Sequence, residues 1–191
     1  MQLEPLLAHI DPEGEIPPVD QWHPAHHGDM DLTISADGGW VHEGTPIARP
    51  RLIRLLSTLL RRESNGEYVL VTPAERQRIQ VEDCPFVVVD ADRQGEQWWL
   101  TTNVGDRVCL DARHRLRLSE TPAGDVIPEV PVRFGLAARL GRNVYYRLVE
   151  QAQAREAEDG SLELGLTSDG GWHPLGRLEA SAQDDDVAPC R

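Results

Sequence analysis

Pro46-Ile47-Ala48-Arg49-Pro50-Arg51-Leu52-Ile53-Arg54-Leu55 can be laid over Pro131-Val132-Arg133-Phe134-Gly135-Leu136-Ala137-Ala138-Arg139-Leu140, with proline, strand end, helix start, an Arg and a Leu in register. Pro50 suits the first turn of a helix. Behind it Leu52, Ile53, Leu55, Leu56, Leu59 and Leu60 recur at three- and four-residue steps as one wide stripe, with Arg51, Arg54, Thr58, Arg61 and Arg62 opposite. This predicts a helix over 50–63, stopped by Asn65-Gly66. In the second copy Leu136, Leu140, Val144 and Leu148 step by four, and Val149 and Ala152 widen the stripe, predicting a helix from Leu136 that ends before Asp159-Gly160. The exits match as well: Arg62-Glu63 through Gly66 to Leu70 corresponds to Arg155-Glu156 through Gly160 to Leu164. The reading is α+β, two lobes from a duplicated hairpin-helix-hairpin unit. Against it stands the commonness of proline before helices and glycine after them.

Outward from these segments, residues 3–10 read as a short helix and 11–29 as a Pro/Gly-rich wrapping arm. Asp31 to Ser35 alternates as a strand, Asp37-Gly38-Gly39-Trp40 turns it, and a return strand runs to about Ile47. Strands follow at Glu67–Thr72, Arg78–Val81, Phe86–Asp90, Gln97–Thr102 and Arg107–Leu110, and 112–128 reads as a polar surface connection. The expected organisation is an arm over 1–30, an N-terminal lobe over 31–83, a C-terminal lobe over 84–179 and a disordered acidic tail over 180–191.

All nineteen basic side chains are Arg, against 32 acidic ones, for a net charge of −13. That balance repels polyanions, so a nucleic-acid polymer is not an expected partner. The absence of Lys excludes a Walker-type phosphate loop, a pyridoxal Schiff base and a Lys general base. Guanidinium remains as the group to hold any anion. Cys84, Cys109 and Cys190 lie in no metal or disulfide pattern. Met1-Gln2-Leu3-Glu4-Pro5 lacks a basic leader, and no apolar run nears the roughly 18 residues of a membrane span, so a soluble, cytoplasmic protein off the membrane is expected.

Several residues have the chemistry for a site. His23, His26, His27, Asp29 and Asp31 are the densest potential metal ligands, on an arm with no helix to fix their geometry, and read as a solvated loop. His42 with Glu43 or Asp83 would serve a hydrolase, but adjacent strand residues face opposite ways, and no nucleophile motif accompanies them. Arg49 and Arg133 lie where the two expected helices begin, a place suited to an anion, or else pair with carboxylates such as Glu43 or Asp83 and pin the lobes. Trp40 offers a face for stacking or a large core side chain. Thr102-Asn103-Val104-Gly105-Asp106 offers a turn of backbone N–H groups. Asp169-Gly170-Gly171-Trp172 repeats the earlier tetrapeptide and is expected to repeat its turn.

Asp37-Gly38-Gly39-Trp40, His42-Glu43-Gly44, Pro46 to Arg49, Leu70 to Glu75, Val81 to Phe86, Thr102 to Asp106, Val132-Arg133 with Gly135-Leu136, Tyr145 to Glu150 and Ser168 to Trp172 occur here in one order over most of residues 22–176. In this the chain resembles a bacterial family known as domain of unknown function 1285. The resemblance implies two domains with internal duplication, a C-terminal lobe loosely pleckstrin-homology-like, and an interlobe pocket for a nucleotide-like ligand with a role in signalling. Glu129 stands where the pattern commonly has an aromatic, and Cys84 also departs from it. The combined expectation is a protein that binds a small anionic ligand between two lobes through Arg49, Arg133, Trp40, Glu43, Asn103 and Asp106. No cofactor is implied, and a hydrolase or a module that recruits a protein partner are the alternatives.

Overall fold

The structure, a computed structural model, describes residues 15–157 and 160–178. The expected helix at 3–10 and acidic tail at 180–191 lie outside the described residues. Strands β1 (His26–Ile34), β2 (Trp40–His42) and β3 (Thr45–Pro46) form one meander. Helix α1 (Pro50–Thr58) leads to a second, β4 (Leu60–Arg62), β5 (Tyr68–Val71) and β6 (Glu75–Val81), whose last strand returns parallel to β1. The sheet order is β3-β2-β1-β6-β5-β4.

The plan then repeats. β7 (Phe86–Gln94), β8 (Gln97–Thr102) and β9 (Arg107–Cys109) are followed by β10 (Arg117–Glu120), β11 (Val126–Arg133) and β12 (Leu136–Leu140), and β12 lies parallel to β7. Read from the other edge this sheet is β9-β8-β7-β12-β11-β10, the first order over again. Two lobes built on similar six-stranded sheets are therefore present, but the repeat relates residues 26–81 to 86–140 rather than 46–55 to 131–140. Where α1 joins β3 to β4, the stretch 110–116 joins β9 to β10. Helix α2 (Arg142–Val149) and a third sheet, β13 (Gln153–Glu156), β14 (Leu162–Ser168) and β15 (Gly171–Leu178), follow the second copy.

The helix expected from Leu136 is a strand over its first five residues. Four-residue steps fit a strand's period of two as well as a helix's 3.6, and Leu136, Ala138 and Leu140 are all buried on one face. What decides is the two-residue turn before it: Phe134 and Gly135 have φ of 49° and 75°, the geometry that folds β11 back onto β12. Gly141, extended at φ −65° and ψ 147°, then starts α2. Likewise α1 ends at Thr58 rather than 63. Ser57 and Thr58 hydroxyls turn back onto the carbonyls of Arg54 and Leu55, both at 2.7 Å, and Leu60–Arg62 pairs with β5.

The matched segments around Gly66 and Gly160 are hairpin turns, not helix ends. One turn recurs at both and at Ser35–Gly39, Thr102–Asp106 and Thr121–Asp125: the first residue's N–H bonds the fifth carbonyl and the fourth residue's N–H bonds the first. The fourth residue is always glycine, with φ between 79° and 92° at Gly160 and Gly66. Asp169-Gly170 instead forms a two-residue turn at φ 50° and 72°, so the repeated tetrapeptide makes two different turns. The connection expected over 112–128 contains β10 and the start of β11, and β1 begins at His26 inside the expected arm because His26–Asp29 pairs with β6. Residues 15–25 do wrap the N-terminal lobe: Val19 is buried and Arg61 binds the carbonyls of Val19 and Trp22. No described helix is long and apolar enough to cross a membrane.

The third sheet is tied to the second lobe through polar groups in the core. Ser168 Oγ donates to Leu110 O at 2.7 Å and accepts from Trp98 N at 2.9 Å, and the Leu116 N–H donates to His173 Nδ1 at 3.4 Å. His173 is 1% exposed and its Nε2 has no partner among the described residues. Burial, with Arg115 also opposing the charged form, holds its pKa below the ordinary 6.5 despite Ser168 and Asp111. The unfolded chain thus binds this proton more readily, so stability present above about pH 6.5 is lost as pH falls through the lowered folded value. Denaturant titrations at pH 7.5 and pH 5 are expected to show an acid loss in the wild type that shrinks in His173→Gln; an equal loss in both would exclude this origin.

Candidate functional site

Arg133, at the end of β11, points between the lobes. Its Nε and Nη2 donate to the two oxygens of Asp106 at 3.0 and 3.1 Å, and Nη1 donates to Ser57 O at 3.1 Å. The guanidinium also lies over the Phe86 ring, 5.1 Å from its centre. Ser57 is in the last turn of α1, whose carbonyls lack helical partners and carry the negative end of the dipole. One cation therefore satisfies a carboxylate of the second lobe and a helix end of the first. Both side chains are 12% exposed.

The other expected residues are distributed around this seam. Asn103 accepts from Val87 N at 3.0 Å through Oδ1 and donates to Gly38 O at 3.4 Å through Nδ2, linking a turn of each lobe. A Cβ on Gly38 would sit 2.6 Å from that Nδ2, and its φ of 85° also requires glycine. Trp40 is 2% exposed, a core side chain beside Ile34 with no face open to a ligand in this structure. Glu43 is exposed in the β2–β3 turn at φ 47°, and Arg49 is exposed and extended just before α1, with no side-chain cap. The structure joins Arg133 to Asp106 directly and leaves Arg49 and Glu43 on the first lobe's surface.

Of the carboxylates proposed beside His42, Asp83 is committed to another partner. Asp83 makes a two-point pair with Arg139, both side chains 8% exposed, and Arg139 also donates to Ser119 O, Ser119 Oγ and Ile127 O. Cys84 alongside donates to Glu129 at 3.5 Å; burial, against Arg139, pushes its thiol up to about 12, far from a thiolate nucleophile. No three His, Cys, Asp or Glu side chains among the described residues gather as a metal site.

A groove opens elsewhere, on the N-terminal lobe. Asp29 pairs with Arg78 and Thr33 with Gln80, so three residues of β1 oppose Ile79 alone and the strands part at a bulge. Along this bulge runs a groove of about 810 Å³, to which Met30, Tyr68, Ile79 and Val81 give an apolar part and Asp29 and Arg78 a charged one. A smaller recess of about 230 Å³ continues past Arg78 to Arg76 and His27. Arg78 binds Asp29 at 2.6 Å and Glu67 at 3.1 Å, and its Nη2 has no partner among the described residues. Asn65, then Arg78, hold the Glu67 carboxyl below its ordinary range, so it stays ionised. Tyr68 is half-buried under Arg62, and burial raises its hydroxyl pKa, with Cys84, Glu129 and Asp83 adding to the shift. Those three residues belong to the linker and β11, so Tyr68 carries the groove toward the lobe seam.

Sequence reasoning missed this groove, because the bulge depends on how β1 and β6 pair. Arg76 and Arg78, two apart on a strand, were its visible trace.

The family model described as the N-terminal domain of a domain of unknown function (DUF1285) matches residues 17–84, and the one for the C-terminal domain of that family matches 85–175. The chain belongs to the DUF1285 family. A crystal structure of a DUF1285 family protein from Silicibacter pomeroyi is 37% identical with a TM-score of 0.83, covering 93% of this chain and 96% of that one. A second, from Shewanella baltica, is 29% identical with a TM-score of 0.53, covering 64% of this chain and 92% of that one. No curated protein matches the chain. The boundary of the two family models, between Cys84 and Pro85, falls in the linker from β6 to β7 that Asp83 and Arg139 fasten.

Removing Arg133 leaves Asp106 and a helix end desolvated without a cation, which costs about 3–5 kcal/mol in buried pairs and somewhat less at this partial exposure. Arg133→Ala is expected to lower stability by about 2–4 kcal/mol in urea titration, and Arg78→Ala, at an exposed pair, by clearly less. Equal losses would contradict the assignment of Arg133 as the structural cation.

Proposed function

We propose that this DUF1285 protein is a binding protein that senses a small anionic ligand in the groove of its N-terminal lobe, beside the seam with the second lobe. The supporting observation is the contrast between its arginines. Arg133 and Arg139 are enclosed and fully committed to Asp106 and Asp83. Arg78 is open: its side chain is 55% exposed and that of Asp29 is 71% exposed, and the pair faces a groove with an apolar floor. An exposed pair contributes about 0–1 kcal/mol, so an incoming carboxylate or phosphate exchanges with Asp29 at small cost. Displacing Asp106 from Arg133 would instead leave a desolvated charge. The ligand is therefore an anionic group on an apolar or planar body, the former on Arg76 and Arg78 and the latter against Tyr68 and Val81. A nucleotide-like molecule has this character. Binding at the edge of a two-lobe seam suits a regulatory role, and Glu67, held below its ordinary range by Asn65 and then by Arg78, favours binding over acid–base catalysis.

A thermal-shift panel of nucleoside monophosphates, nucleoside diphosphates and dicarboxylates tests this, since a ligand of the native state raises Tm. At least one compound is expected to raise Tm in the wild type, to do so more at equal concentration in Asp29→Ala, and to lose the effect in Arg76→Ala/Arg78→Ala. Panel-wide silence, or a shift that survives the double substitution, would overturn the proposal.

A further inference from the structure

Arg76 touches both the groove and the arm that wraps the lobe, by two separate chains of contact. In the first, Arg76 Nη1 lies 3.3 Å from Glu63 Oε1, and the same oxygen accepts from Arg61 Nη2 at 2.7 Å. Arg61, buried in β4, in turn holds the carbonyls of Val19 and Trp22. In the second, Arg76 Nη2 lies 3.5 Å from His27 Nδ1, while His27 Nε2 lies 3.0 Å from Pro24 O. With Nδ1 accepting from Arg76, Nε2 carries the hydrogen and donates to that carbonyl. Three arm carbonyls, at residues 19, 22 and 24, are thus fastened to groups that meet at one guanidinium.

Glu63 shows how the balance is set. Burial pushes its carboxyl up, and Arg61 and Arg76 together overcome this and hold it below the ordinary range. It is ionised because it has two cations. An anion bound to Arg76 from the groove side competes with Glu63 for that cation, repels the Glu63 carboxylate, and draws Arg76 away from His27. Both chains to the arm weaken together. The arm is the natural element to respond: outside Val19 and Pro24 its described residues are half-buried or exposed, and its own backbone bonds are the short-range ones from Val19, Gln21 and Trp22 to Pro17, Pro18 and Val19.

Resting on the groove-binding reading above, we infer that Arg76 couples the groove to the N-terminal arm, so that an anion held by Arg76 and Arg78 loosens residues 17–24 from the sheet. The arm then becomes the output of the sensor, a segment whose release exposes Val19 and the β4–β5 surface under it. Coupling of this kind is reciprocal: weakening the arm's attachment strengthens anion binding by the same factor.

Hydrogen exchange of the full chain, followed at residues 17–24 with and without inorganic phosphate or a nucleoside monophosphate, tests the coupling, with calorimetry on the same samples reporting binding. Without any ligand, Glu63→Gln and Arg76→Ala should each speed exchange in this segment by roughly two- to fivefold, the scale of one partly exposed ion pair, while leaving strands β7 to β12 unchanged. With the probe bound, the wild type should approach the Glu63→Gln rate, and Glu63→Gln should bind the probe more tightly. Unchanged arm exchange in both ligand-free variants would overturn the coupling whether or not any probe binds. Calorimetric binding without an arm response would also overturn it while leaving the groove reading intact. Accelerated exchange in the variants without binding of either probe would sustain the mechanical link through Arg76 and count against the ligand reading alone.

Discussion

The Arg133 guanidinium sits where the fold would otherwise be weakest, between a helix end that lacks donors and a carboxylate removed from water. It can do so because β11 ends in the tight Phe134-Gly135 turn, and that turn lies close against the edge strand β4: Phe134 O accepts from Arg62 N at 3.0 Å, and a Cβ on Gly135 would come within 3.3 Å of Arg62 O. Around it Asn103 bridges two turns, and Arg54 lies over Gly105. The lobes are thus joined by oriented hydrogen bonds as well as apolar packing, and directional contacts of this kind fix a single relative placement.

A chain whose cations are all Arg uses one group for two purposes, and exposure separates them. Arg133 and Arg139 are enclosed, and each meets a carboxylate at two points and a carbonyl besides; they are structural. Arg76 and Arg78 meet each of their partners at one point only, beside a groove, where water already weakens the attraction and a ligand can replace a partner. Net charge of −13 argues against long polyanions. It does not oppose a small anion, because the field that matters is that of two guanidinium groups a few ångströms away.

Much of the fold could be read from residue order, and the failures share one cause. Pro50 and the stripe of Leu52, Ile53, Leu56 and Leu59 identified α1; the glycines at 38 and 105 marked real turns, while those at 66 and 160, read as helix stops, close hairpins. Two lobes with internal duplication followed, but in the wrong register, since Pro131 to Leu140 imitates the start of α1 in letters while forming a hairpin in space. Steps of four are ambiguous between strand and helix, and only the positive φ at Phe134 and Gly135 settles the matter. The site was less legible. Arg133, Asp106 and Asn103, expected beside a ligand cleft, lie at the lobe seam, and nothing in the chain states that Arg133 and Asp106 choose each other. The groove arises from the parallel pairing of strands whose partners lie 47 to 49 residues apart in sequence, which local patterns do not encode.

The central claim is that anions choose the more open arginines of the groove, half-buried Arg76 and exposed Arg78, over the enclosed ones of the seam. Crystals soaked in bromide or selenate, with anomalous scattering used to place the anion, test it most directly. The account predicts the strongest site within hydrogen-bond reach of Arg76 and Arg78, with Asp29 displaced. The strongest site at Arg133 or at Arg49 before α1, with the groove empty, would contradict it.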